Sequence, residues 1–381
     1  MFRKTILLLG LFFMIALLAG VAVASHKEKS SKRYIITPDS DADADEIKDL
    51  VDVHHELRGV FSAEIPKKKL SAVKELASVR PVKMFMLQKH KEARQKRKCT
   101  PTEQVPWNIQ MVNGGSGGAG ITIAVLDSGV NKGHIDLSSN IKKCLDMTGG
   151  RAGGNCKDTI GHGTEVIGII AGMKGRDGLG IVGVAPQSSI MSLRVCDKFG
   201  FCAEDDIAAG IYYAADRGAN IVSMSLGGSE DTDVIRDAVA YAAGRGVLLV
   251  AAAGNEGPYD DSIGYPAAYP EVIAVAAIDE EGNIADFSSR GLNDGDEVIE
   301  EREIEFVAPG VAVESTAING CYDFADGTSF AAPHISGLAA KLWQGSAAAT
   351  RAYLQQLALA GEDFGQQGDD AEAGLGMPVA P

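Results

Sequence analysis

Between Ile121 and Ala276 one pattern recurs: a short, wholly apolar run rich in β-branched residues, then a stretch with helical spacing. The runs are Ile121–Leu126, Ile190–Val195, Ile221–Ser225, Val247–Ala252 and Val272–Ala276. Helical stretches between them include Glu165–Ala171, Ala203–Arg217 and Val234–Arg245. A strand that is apolar on both faces must be covered on both faces. Helical crossovers do this when neighbouring strands run parallel, so the pattern predicts a three-layer α/β domain on a mostly parallel sheet. In such sheets ligands sit beyond the carboxyl ends of the strands, which is where chemistry should be sought.

Three strand or helix ends carry it. The first run closes on Leu126-Asp127-Ser128-Gly129, and Gly161-His162-Gly163-Thr164 opens an apolar helix. Asp326-Gly327-Thr328-Ser329 starts a second, Gly/Ala-rich helix. Taken singly, these residues read as a turn aspartate, a capping or metal-binding histidine and a serine N-cap. Taken together, they supply what a serine nucleophile needs: a base for the hydroxyl proton and a carboxylate to orient that base. No Gly-x-Ser-x-Gly elbow surrounds Ser329, and the order Asp, His, Ser differs from that of lipases and esterases. A fourth element, Ala251–Gly257, ends a strand with Asn255, whose amide can donate to an oxyanion.

These motifs resemble those of the subtilisin-like serine proteases (subtilases, peptidase family S8), from Val105 to about Met377. The resemblance implies Asp127 as orienting acid, His162 as general base and acid, Ser329 as nucleophile, and Asn255 as oxyanion donor. It implies that Ser225, Leu226, Gly227 and Gly228 form an edge that pairs with an extended peptide. Ala252, Gly254 and Gly264 match walls of the primary specificity pocket. Gly175–Ile181 resembles the family's calcium loop, with a metal-free glycine turn as the plain alternative. The implied Ca²⁺ ligands are the Asp177 side chain, the carbonyls of Gly175, Leu179 and Ile181, and the more distant Asp136 and Glu103. The chain departs from the family at Glu165, where a second histidine is usual, and at Phe330, where methionine is common. Asn293–Glu305 is an acidic insertion without an assigned role.

Residues 32–90 read as a small α+β unit: strand Arg33–Thr37, helix Ala44–His54, strand Val60–Ile65, helix Lys67–Ser78 and strand Val82–Leu87. So short a segment makes a marginal core and needs a partner surface. The unit is similar to the family's I9-type propeptide, an intramolecular chaperone and inhibitor. Charge agrees with two interacting parts. Residues 1–98 hold 20 Lys and Arg against 12 Asp and Glu, while the remaining residues hold 16 against 39. The acidic body argues against nucleic-acid binding and suits a soluble protein, a saline habitat or cationic ligands.

At the N-terminus a charged start, an apolar run and Ala22-Val23-Ala24 fit a secretory signal peptide over 1–24, with an uncleaved anchor as the alternative. Six cysteines suit an oxidising compartment. Local pairing of Cys196 with Cys202 and of Cys144 with Cys156 leaves Cys99 for Cys321, while the absence of Cys-x-x-Cys disfavours zinc. The expected organisation is therefore signal peptide 1–24, propeptide 25–98 with a basic linker 91–98, catalytic domain 99–360, and a mobile acidic tail 361–381. The expected protein is a secreted, self-processing endopeptidase acting as a monomer on protein or peptide substrates and meeting the membrane only during export.

Specificity admits a second reading. Arg94-Gln95-Lys96-Arg97 fits the pattern cut by kexin- and furin-like processing members, which would place self-cleavage near Arg97–Lys98. In that reading Glu204 and Ile207 line a distal subsite, and Glu256 sits at the rim of the primary pocket. The plain alternative is a solvated basic linker beside an acidic enzyme. A catalytically silent protein retaining the fold is the remaining alternative, and the intact Asp127, His162, Ser329 and Asn255 argue against it.

Overall fold

The structure is a computed structural model that describes residues 33–89, 99–150, 152–175, 177–366 and 368–381. The signal peptide expected over 1–24 and the basic linker 91–98 lie outside the described residues.

The N-terminal unit runs β1 (Arg33–Pro38), α1 (Asp41–Leu50), β2 (Asp52–Leu57), β3 (Val60–Glu64), α2 (Leu70–Lys74) and β4 (Ala77–Pro81). Its strands form an antiparallel sheet in the order β2-β3-β1-β4. Ser40 caps α1 by accepting the Asp43 amide at 3.2 Å, with Asp41 and Asp43 in the positively polarised first turn. Ile36, Ile47, Phe61, Ala63, Ile65, Val73 and Ala77 form a separate small core. Two expectations fail here. The helix stops at Leu50, and His54 lies in β2, because Asp52–Leu57 pairs with β3. The helix expected over Lys67–Ser78 shrinks to α2, because the chain from Ala77 pairs with β1. In both places sheet pairing overrides a local helical pattern.

The next strand, β5 (Met84–Leu87), leaves that sheet and enters the larger domain. There the elements are α3 (Trp107–Met111), β6 (Thr122–Asp127), β7 (Ile141–Asp146), α4 (His162–Ala171), β8 (Ser189–Arg194), β9 (Phe201–Ala203), α5 (Glu204–Asp216), β10 (Ile221–Met224) and β11 (Leu226–Gly227). They continue with α6 (Asp233–Gly244), β12 (Leu248–Ala252), β13 (Val272–Ile278), β14 (Phe306–Pro309), β15 (Val313–Thr316), β16 (Tyr322–Ala325), α7 (Thr328–Lys341) and α8 (Ala347–Leu359). Seven strands make one sheet in the order β14-β13-β12-β10-β6-β8-β7, and every pairing in it is parallel. Every residue of β12 and β13 is buried, as two covered faces require. The five apolar runs are five of these strands. The other two escaped notice because β7 is an edge strand with exposed Lys142 and Lys143, and β14 has only four residues.

The three disulfides are Cys99–Cys321, Cys144–Cys156 and Cys196–Cys202. The mobile tail expected over 361–381 is corrected. Ala373, Leu375, Met377 and Ala380 are buried. The Leu375 amide donates to Glu305 O at 3.0 Å and the Val307 amide to Gly376 O at 3.1 Å. The acidic insertion is what holds the tail. Glu305 is fully buried and fixed by Arg351, while the Asn293 amide donates to Asp369 at 2.6 Å. Among the described residues, no helix is long and apolar enough to cross a membrane.

Candidate active site

The carboxyl ends of β6 and β12 and the amino ends of α4 and α7 meet on one side of the sheet. Asp127 closes β6 and is buried; His162 opens α4 and presents Nδ1 at 2.9 Å from each Asp127 carboxylate oxygen. The helix comes this close to the strand end because residue 163 is glycine. A Cβ there would lie 2.2 Å from Gly129 O and 3.1 Å from Asp127 Oδ1. With Nδ1 engaged, Nε2 faces the site; it is buried and has no protein hydrogen-bond partner.

Ser329 is the second residue of α7 and is fully buried. Its Oγ donates to Ser225 O at 3.0 Å, and Ser225 Oγ donates back to Ser329 O at 2.8 Å. The hydroxyl is thus held on the edge strand rather than on His162, a common state before a reaction begins. Asn255 follows β12. Its Oδ1 accepts the Thr328 amide at 3.0 Å and the Thr328 hydroxyl at 3.1 Å, which fixes its other end, the NH₂, as a donor beside Ser329. This arrangement can deprotonate a hydroxyl, orient the base and receive negative charge on an oxygen.

A model of the subtilase family matches residues 118–376. The chain belongs to the subtilase family of serine peptidases. A subtilisin from Bacillus sp. (strain TA39) is 44% identical over an alignment of 262 residues that covers 64% of this chain and 62% of that protein. A thermostable alkaline protease from Halalkalibacterium halodurans is 34% identical over an alignment of 340 residues that covers 86% of this chain and 85% of that one. Among solved structures, Sphericase is similar with a TM-score of 0.71 and 42% identity, covering 74% of this chain and all of that one. The S41 psychrophilic protease gives 0.70 and 40%, with the same coverage.

The edge strand expected to bind an extended peptide already has one. β5 lies between β11 and β9, antiparallel to both, with Leu87 opposite Leu226 and Phe85 opposite Cys202. The Gln88 amide donates to Ser225 O at 3.2 Å, and Gln88 O accepts the Ser329 amide at 3.2 Å. Gly227 and Gly228 make room: a Cβ at 227 would lie 3.2 Å from Gln88 Nε2, and one at 228 would lie 3.0 Å from the Phe85 ring. Behind them Ala252 is buried, Gly254 adopts φ +125°, and the Gly264 amide donates to Ala253 O at 2.8 Å.

Both carboxylates expected to set specificity have partners in this precursor. Glu204 is covered by the N-terminal unit in this precursor. It is fully buried at the start of α5, where it accepts Arg80 Nη1 at 2.5 Å, Arg80 Nη2 at 3.1 Å and the Lys83 amide at 2.7 Å. The first turn of a helix attracts a carboxylate inward, and the β4–β5 connection supplies its counter-ion. Glu256 is exposed and folds back on the Asn255 amide at 2.7 Å and Ser289 Oγ at 3.2 Å. Ile207 is buried in the continuous apolar core that also includes Phe85. The paired-basic reading has lost its support, and Arg94–Lys98 lie outside the described residues.

Residues of the expected calcium loop converge in part. Asp136 Oδ1 is buried without a partner, while Asp136 Oδ2 accepts the Ile181 amide at 3.1 Å and the Tyr322 hydroxyl at 2.8 Å. A Cβ at Gly175 would lie 3.0 Å from Asp136 Oδ1 and 3.2 Å from Asp177 Oδ1, so both carboxylates face the loop. Burial pushes the Asp136 carboxyl up, and the Asp177 charge adds to this against the Tyr322 hydrogen bond. An unpaired, desolvated oxygen that shares the loop with a second carboxylate fits a hard cation, although Ile181 O already accepts the Lys174 amide at 2.7 Å. Glu103 accepts Gln110 Nε2 at 2.8 Å, and its neighbour Gln104 donates to Gly178 O at 2.5 Å, so this segment lies against the loop.

Sequence reasoning missed Asp158. It is buried and accepts Ser128 Oγ, the amides of Ile160, Gly161 and Thr164, and Thr164 Oγ1, all between 2.7 and 3.0 Å. It thereby satisfies the free amides at the start of α4 and fixes the helix that carries His162. An aspartate four residues before a Gly-flanked histidine was the available signal.

Proposed function

We propose that this chain is an exported, calcium-stabilised serine endopeptidase that is made as a zymogen and frees itself by cutting after Gln88. The observation that carries this reading is Gln88 O on the Ser329 amide, with the strand before it seated between β9 and β11. In this reading the propeptide ends at residue 88 rather than at 98. The charged start and Ala22-Val23-Ala24 support export through a cleaved leader.

Reaction begins when Ser329 Oγ turns from Ser225 O to His162 Nε2, gives up its proton and attacks the Gln88 carbonyl carbon. Asp127 holds the Nδ1 proton in place and stabilises the imidazolium. The Ser329 amide and the Asn255 NH₂ receive the charge that develops on Gln88 O. His162 then protonates the departing Lys89 amine, and water hydrolyses the acyl-enzyme by the same route in reverse. A calcium ion would be held by Asp136, Asp177, Glu103 and the carbonyls of Gly175, Leu179 and Ile181; it would brace this loop from outside the reaction.

The test is intact-mass spectrometry of purified wild type beside Ser329→Ala. Wild type should lose everything through Gln88, and the variant should keep its N-terminal unit. Equal loss in both would sink the self-processing reading.

A further inference from the structure

Glu165 lies three residues beyond His162 on α4, at the position where subtilases usually carry a second histidine. Its side chain is only 8% exposed, and its Oε2 accepts Lys89 Nζ at 2.8 Å. The same ammonium lies 5.5 Å from the centre of the Phe330 ring. Phe330 directly follows Ser329, and its ring is 5.4 Å from that of His162. A carboxylate and an aromatic face converging on one point favour an organic cation there. Burial reinforces the preference. A desolvated carboxylate is costly unless a cation accompanies it, so a bound peptide that brings one relieves a cost that an uncharged peptide leaves standing.

The place of Lys89 in the chain gives this contact meaning. With Gln88 O on the Ser329 amide, Lys89 is the first residue on the leaving-group side of the bond to be cut. We propose that Glu165 and Phe330 form a leaving-side subsite that selects a lysine or arginine immediately after the scissile bond. The inference rests on the Gln88–Lys89 register of the preceding section. It moves the basic preference across the bond from where Glu204 and Glu256 would have put it. Glu256 is held by the Asn255 amide and Glu204 meets Arg80, eight residues before Gln88, whereas Glu165 meets the residue that directly follows the cut bond.

Internally quenched peptides that differ only in the residue after the cut (Lys, Arg, Ala or Glu) test it, with the cut bond read by mass spectrometry. Lys89 is 40% exposed, and solvent screening limits such a pair, so kcat/KM for Lys and Arg should exceed that for Ala by about tenfold. Glu should fall below Ala. In Glu165→Gln the Lys-to-Ala ratio should drop to about twofold or less, and Glu165→Lys should turn the preference toward Glu. If the reversed variant does not fold, Glu165→Gln and Phe330→Leu, which removes the ring face, carry the test. A wild-type ratio near one, or a ratio unchanged in Glu165→Gln, overturns the subsite. The N-terminus of the first self-processed product separates the two readings. A product beginning at Lys89 with a flat ratio overturns the subsite alone, whereas one beginning elsewhere overturns the register on which both rest.

Discussion

Replacing Arg80 by alanine should weaken inhibition of the mature enzyme by its own N-terminal unit far more than loss of an exposed ion pair. Glu204 is fully buried and has three hydrogen bonds, two from Arg80 and one from the Lys83 amide. Removing one partner of a buried pair costs about 3–5 kcal/mol, because the remaining charge is stranded. Two features reduce that here: Arg80 is 31% exposed, and the Lys83 amide remains in place. A loss of about 2–3 kcal/mol is therefore expected, or about 30- to 150-fold in the inhibition constant. The assay adds the separate unit to mature enzyme and follows hydrolysis of a chromogenic peptide. Glu204→Gln on the enzyme side gives the second arm of a double-mutant cycle and leaves the folding of the small unit untouched. Arg58 and Asp216 pair across the same interface, but both are nearly half exposed. Their loss should cost about fivefold at most. A change below about threefold for Arg80→Ala, or a coupling below about 0.5 kcal/mol, would refute the reasoning that burial makes this pair matter.

Two further outcomes follow from buried groups. His334 is fully buried, with Nδ1 bonded to Phe330 O at 2.7 Å and Nε2 2.9 Å from the Asn108 amide nitrogen, and burial holds its pKa down at about 4. The unfolded chain takes up that proton near 6.5, so stability is full above 6.5 and declines as pH falls toward 4, by about 3 kcal/mol at most. Thermal unfolding of the Ser329→Ala protein should show this slope, and His334→Gln should flatten it; an unchanged slope would mean that other groups govern acid stability. For calcium, a chelator should lower the melting temperature of the mature enzyme by about 5–10 °C if the ion is present well above its dissociation constant. Asp136→Asn should remove most of that difference, and an equal chelator effect in the variant would exclude Asp136 as a ligand.

The sequence by itself determined the parallel α/β class and picked out the residues that the fold brings together at the candidate site. Continuous apolar runs can be buried on both faces in only a few ways, and Asp127, His162, Ser329 and Asn255 each sit at the end of an element legible from its own composition. The cysteine spacings likewise left one economical pairing, which the disulfides follow. What tertiary structure decided were contacts between segments distant in the chain. The linker's basic motif drew attention to Arg97, whereas strand pairing along β9 and β11 seats Met84–Gln88, because backbone register on an edge strand depends on shape and hydrogen bonds rather than on charge. Glu204 looked free because no local signal reveals that Arg80, 124 residues earlier, folds over it. The tail looked mobile because its glycines and carboxylates resemble a solvated segment until Glu305 and Asn293 provide a surface. Asp158 and Glu165 were visible as letters, and only the three-dimensional convergence of α4, α7 and the strand ending at Gln88 gave each of them neighbours.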